Sequence, residues 1–180
     1  MGLFDAFKKK SDVAPESLNI NITDNGIQLN GALVRLPCPV DSLTAILGRP
    51  REVVYQTPKS QINPMMLAQF PELAAKRINY TWDALGVYCY TRSDSMVNCI
   101  GVQHKVRLKV NHTPESLFCG TLTINGIPWY EAVRKGIDME AYRQIDIGNN
   151  SVISGYSDFS RPESLGTADD YTGIEFQPKK

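Results

Sequence analysis

Two histidines in 180 residues leave few ways to build a proton shuttle or a metal centre. His104 and His112 fall between Cys99 and Cys119, yet the Cys-x4-His-x7-His-x6-Cys series matches no compact zinc knuckle, and His104 sits in strand-like alternation. The four cysteines, Cys38, Cys89, Cys99 and Cys119, include no C-x-x-C pair. Those inside apolar strands should behave as small hydrophobes whose thiolates are disfavoured by desolvation. A nucleophile at Cys99 or Cys119 is therefore only a residual reading. Phosphate-cradling glycine patterns, H-E-x-x-H and G-x-S-x-G are absent as well. Neither an enzyme nor a bound cofactor or metal is expected.

Net charge is missing too. Nineteen basic and nineteen acidic side chains cancel, which removes the whole-molecule field that a nucleic-acid binder uses to collect phosphates. There is no apolar run of the roughly 18 residues a membrane span needs, and no secretory core in the first ten residues. A cytoplasmic protein with reduced thiols is the expectation. On that reading the Asn-x-Ser/Thr triplets at Asn21, Asn79, Asn111 and Asn149 stay unmodified.

What is present reads as a leader and linker over residues 1–17, followed by a single α+β domain over 18–180. In the leader, Leu3, Phe4 and Phe7 precede three lysines, a minimal amphipathic pattern whose short apolar face supplies little membrane anchoring. Leu18, Ile20 and Ile22 alternate with asparagines, and Asp24-Asn25-Gly26 is a turn, so a hairpin with Ile27–Leu29 follows. Pro37-Cys38-Pro39 should end that sheet. A short helix capped by Asp41 or Ser42 then carries Leu43, Ile46 and Leu47 and stops at Gly48.

Strands are expected over 52–56, 78–82, 86–91, 96–102, 104–110 and 118–124, with a helix or an ordered loop between Pro58 and Ala75. Asn125-Gly126 turns into a short helix begun by Pro128 and closed by Gly136. The order strand, Asn-Gly turn and helix occurs twice, at Asn30-Gly31 and at Asn125-Gly126. The fold class is therefore α+β, a predominantly antiparallel sheet with a few short helices and a candidate duplicated strand-turn-helix unit. Later strands are expected over 144–147, 152–156 and 173–177. Within Tyr80–Tyr90, Tyr80 and Trp82 share one strand face, Asp83 can bond local backbone and Gly86 allows the bend. Trp82 should be core.

The final third segregates charge: from Asp138 to Glu175 the acidic side chains outnumber the basic ones, Arg143 and Arg161. Acidic residues interleaved with aromatics suit a basic groove on another protein. The candidate partner-binding residues are Asp138, Glu140, Tyr142, Tyr156, Asp158, Phe159, Asp169, Asp170 and Tyr171.

Leu36-Pro37, then Ile46-Leu47-Gly48-Arg49-Pro50, then Tyr80-Thr81-Trp82-Asp83-Ala84-Leu85-Gly86-Val87, then Phe118-Cys119-Gly120 to Asn125-Gly126 resemble an uncharacterised family of small bacterial cytoplasmic proteins. The resemblance covers about residues 26–127 and brings no catalytic residues with it. In style such proteins are similar to immunity proteins that neutralise toxins. The resemblance implies a non-enzymatic partner, an immunity protein occluding a toxin that acts in the cytoplasm. A structural or interaction module, attached to a membrane through residues 1–10, is the alternative.

Overall fold

Asparagine and glycine set the small sheet of this protein. In the computed structural model, which describes residues 17–91, 95–105, 113–139, 142–156 and 171–179, β1 (Asn19–Thr23) turns at Asp24-Asn25 into β2 (Gly26–Leu29). Gly26 takes the positive dihedral there, at φ 136°. Asn30 and Gly31 both adopt positive φ, 49° and 84°, and return the chain as β3 (Ala32–Val34). Two consecutive positive dihedrals match the right-handed twist of the flanking strands.

Asn125 and Gly126 repeat this at φ 50° and 76°, between β9 (Thr121–Ile124) and β10 (Ile127–Pro128). The sheet order is β10-β9-β1-β2-β3, and β1 pairs with β9 in parallel. Leu18, Ile20 and Ile22 point inward and are almost fully buried. The asparagines between them tie the sheet from outside: Asn21 Oδ1 accepts from the Thr123 hydroxyl at 2.9 Å, and Asn21 Nδ2 donates to Gln28 at 3.2 Å.

After a cis Leu36-Pro37 bond the chain does not leave the sheets, as the two prolines suggested. Cys38–Pro39 forms β4, a two-residue strand that pairs with β8 (Met96–Gln103). The proline N–H groups that are missing cost little in so short a pairing. α1 (Val40–Leu47) follows directly, with Pro39 at its N-cap and no side-chain cap, so neither Asp41 nor Ser42 serves there. Leu43 and Leu47, on one face, are wholly buried.

The large sheet runs β11 (Ile137–Met139), β12 (Tyr142–Ile147), β13 (Asn150–Tyr156), β14 (Tyr171–Pro178), β8, β7 (Val87–Thr91), β6 (Arg77–Trp82), β5 (Arg51–Tyr55), antiparallel at every step. β4 and β14 lie end to end along one edge of β8, since β7 occupies the other. Its inward face joins the small sheet, α1 and α3 (Trp129–Val133) in one core that includes Trp82, Val87, Ile100, Phe176 and Trp129. Burial of each such side chain contributes about 1.5–3 kcal/mol before entropy is counted.

The strand-turn-helix order does recur, but β10 runs straight into α3 whereas β3 reaches α1 only through β4. The strand expected over 118–124 begins at Thr121. Phe118 N is diverted to the Gln103 carbonyl, and a Cβ at Gly120 would fall on the Leu18 carbonyl oxygen. Residues 106–110 of the strand expected over 104–110 lie outside the described residues.

Candidate functional site

Three of the four sequence motifs that carry the family resemblance meet at one place, through Gly48, Trp82 to Gly86 and Phe118. Trp82 Nε1 donates to the Gly48 carbonyl oxygen at 2.8 Å. One residue on, Asp83 receives Arg51 in a two-pronged pair, Nε to Oδ2 at 2.6 Å and Nη2 to Oδ1 at 2.8 Å. Arg51 Nη2 also reaches the Thr113 carbonyl at 3.1 Å, and Glu115 N donates to Asp83 Oδ1 at 3.0 Å. Asp83 was expected to bond its own turn; its side chain instead collects two distant segments.

Gly86, at φ 66°, closes the arrangement, because a Cβ there would strike the backbone of Phe118. The guanidinium beside Asp83 holds its carboxyl below the usual range, and Asp83 in turn raises Arg51. This junction clamps residues 113–118 against the β6–β7 turn and explains the motif as a folding device.

Beside the clamp, on the face of the large sheet turned away from the core, lies a cleft of about 410 Å³. Tyr88, Gly101, Glu175, Ile153 and Gln144 stand in one cross-strand row there. The Tyr88 ring lies over Gly101, where any Cβ would overlap it, and the Tyr88 hydroxyl donates to Glu175 Oε1 at 2.9 Å. Burial, then the Glu175 charge, pushes the Tyr88 hydroxyl well above its ordinary range, and Cys99 well above its own. Tyr142, Gly155, Thr172, Gly173, Val102, Gln103, Lys105 and Thr113 complete the described lining.

Of the acidic and aromatic candidates among the described residues, the cleft receives Tyr142, which is half-buried. Tyr171 is corrected from partner anchor to core: it is fully buried and packs edge-on against Trp129, ring centroids 5.3 Å apart. A register shift between Gly155 and Tyr156 skips Thr172 and breaks the alternation of β14, which places Tyr171 inward with Ile174 and Phe176. Glu140, Asp158, Phe159, Asp169 and Asp170 lie outside the described residues, as do the side chains of Asp138 and Tyr156.

Sequence reasoning missed the most exposed apolar surface. Pro64–Gln69 forms α2, with Asn63 capping it by accepting from Met65 N at 2.9 Å and Pro64 starting it. None of its side chains is fully buried, and only Leu67 is half-buried. Met65 is 76% exposed, Met66 45% and Phe70 45%. The signal was in the sequence, as apolar residues between prolines in a segment too short to present a full amphipathic face.

Burial places Cys38, Cys89 and Cys99 inside, and desolvation raises all three thiols, Cys89 to about 12. Cys119 is exposed. His112 lies outside the described residues, while His104 packs edge-on to Trp129 with centroids 5.6 Å apart. No helix among the described residues is long and apolar enough to cross a membrane.

Fold and clamp together define an α+β protein built from two sheets around a shared core. The chain belongs to the family of the domain of unknown function DUF7738, which matches residues 19–138. That span includes all the motifs of the clamp and extends past the 26–127 over which they were read. No curated protein and no solved structure matches the chain.

Proposed function

We propose that the protein works by binding another protein, and that its partner is a toxin domain which it occludes, the role implied by the resemblance to immunity proteins. The observation that supports partner binding is α2, a helix with no fully buried side chain, which packs only Leu67 partway and holds Met65, Met66 and neighbouring Phe70 in solvent. Flexible methionines beside an aromatic ring adapt to a partner's surface, and exposed apolar groups of this kind mark interaction sites. Exposed Lys59, Lys76 and Arg77 on the same connection suit a partner with carboxylates around an apolar ridge. This moves the proposed face from the acidic final third to the opposite end of the large sheet, beside β5.

The test is co-expression with the toxin-like product of an adjacent gene. A stable complex, rescue of growth, and loss of both in the Met65→Glu/Met66→Glu double variant are expected. A folded wild-type protein that neither binds nor rescues would overturn the toxin reading, and a double variant that binds as well as wild type would overturn the assignment of the face.

A further inference from the structure

The Glu175 carboxylate stands half-buried at the base of the 410 Å³ cleft. Among the described residues no lysine, arginine or histidine forms an ion pair with it; the ion pairs there are Arg51–Asp83 and Lys179–Asp146. Its neighbours are neutral: the Tyr88 hydroxyl donates to it at 2.9 Å, the Cys99 thiol is a second side-chain hydrogen-bond partner, and the Tyr90 hydroxyl feels its charge. Both side-chain donors to this half-buried carboxylate, the Tyr88 hydroxyl and the Cys99 thiol, are neutral, so a cation arriving in the cleft would be the group that meets its charge.

The remaining lining says what such a cation carries with it. Gly155 and Gly173, paired across β13 and β14, line the cleft with backbone, where a Cβ would meet the Thr172 hydroxyl or the Val102 carbonyl oxygen. Tyr88 and Tyr142 offer aromatic surface to a planar or ammonium cation. Lys105, exposed at the edge of the cleft, would repel a simple polyamine and attract a carboxylate. The volume falls within the range of small-molecule sites.

We infer that this cleft binds a small zwitterion, its guanidinium or ammonium group on Glu175 at the base and its carboxylate toward Lys105 at the rim. Tyr88 positions the carboxylate of Glu175 from its seat on Gly101. The same chemistry is offered by a free guanidino or amino acid and by the C-terminal arginine of a peptide. The site is separate from the α2 face and stands or falls independently of the toxin reading.

Calorimetric titration of the full chain with 4-guanidinobutyrate, agmatine and acetyl-glycyl-arginine tests it. Saturable binding of 4-guanidinobutyrate, weaker binding of agmatine, and a loss of about tenfold or more in Glu175→Gln are expected. Lys105→Ala should erase the preference over agmatine. If the arginine peptide binds as well as the free compound, the source is a chain end; if it is excluded, the source is a metabolite. Each variant is checked by thermal melting. No saturable heat up to about 10 mM of either free compound, or equal affinity in a Glu175→Gln protein that melts like wild type, overturns the inference.

Discussion

Trp82 and Gly48 lie 34 residues apart in sequence, and the indole N–H of one donates to the carbonyl of the other at 2.8 Å. Gly48 is the C-cap of α1, at φ 84°, so the bond fixes where that helix ends against β6. Trp82 itself is 3% exposed. Trp82→Ala should therefore cost about 3–5 kcal/mol, from lost burial and the cavity left behind. Trp82→Phe keeps most of the apolar volume but strands the Gly48 carbonyl, and should cost about 1–3 kcal/mol. Urea denaturation with unchanged slope would measure both.

The Arg51–Asp83 pair adds a pH dependence whose sign follows from the direction of its shifts. Asp83 has its folded pKa lowered by Arg51, so its stabilisation is full above the unfolded value near 3.9 and is lost as pH falls through the folded one. Side-chain exposures of 36% for Arg51 and 24% for Asp83 mean that solvent screens the attraction. A double-mutant cycle with Arg51→Ala and Asp83→Asn should give about 1 kcal/mol of coupling. Melting temperatures from pH 2 to 6 should slope less in Asp83→Asn than in wild type. Hydrogen exchange at Glu115, whose amide bonds Asp83, should speed up in either variant.

Much of this fold could be read from the chain because local chemistry dictates it. The Asn-Gly turns at 30–31 and 125–126, the alternation at Leu18–Ile22 and the buried Trp82 each follow from a few adjacent residues. What stayed hidden depends on distant partners. Nothing near Asp83 announces Arg51, and the parallel pairing of β1 with β9 joins segments about a hundred residues apart, Ile20 with Leu122. β4 was missed because two prolines normally exclude a ladder, and β11 because three residues carry too little pattern. As for the candidate site, Glu175 drew notice only as one acid among eight. Its distinction comes from the cross-strand row that puts Tyr88 and Gly101 beside it.

Thiol chemistry separates the buried cysteines from the exposed one. Ellman's reagent at neutral pH should modify Cys119 in the native protein and reach Cys38, Cys89 and Cys99 only after unfolding. Alkaline pH tests the same burial through linkage. Tyr80, Tyr88, Tyr90 and the three buried thiols all have folded pKa values raised above their unfolded ones, chiefly by desolvation. The unfolded chain releases those protons first, so stability is intact below the unfolded values of about 8.5 and 10 and falls as pH rises past them. A denaturation midpoint that held steady from pH 8 to 11 would contradict the burial.

The family match ends at residue 138, yet that point is no boundary of the fold. β14, from beyond it, occupies the middle of the large sheet and pairs with β8 from Ile100 to Gln103. It also places Tyr171, Ile174 and Phe176 in the core, all at most 2% exposed. A chain truncated after Met139 would leave those core positions empty and expose the backbone donors and acceptors of β8, together with apolar Ile100 and Val102. An unpaired hydrophobic strand is a template for aggregation. Expression of residues 1–139 should give insoluble or oligomeric material, and adding residues 140–180 as a separate polypeptide should recover a soluble complex. A truncated chain that stayed monomeric by light scattering, with a cooperative melt, would mean that the matched segment folds without β14.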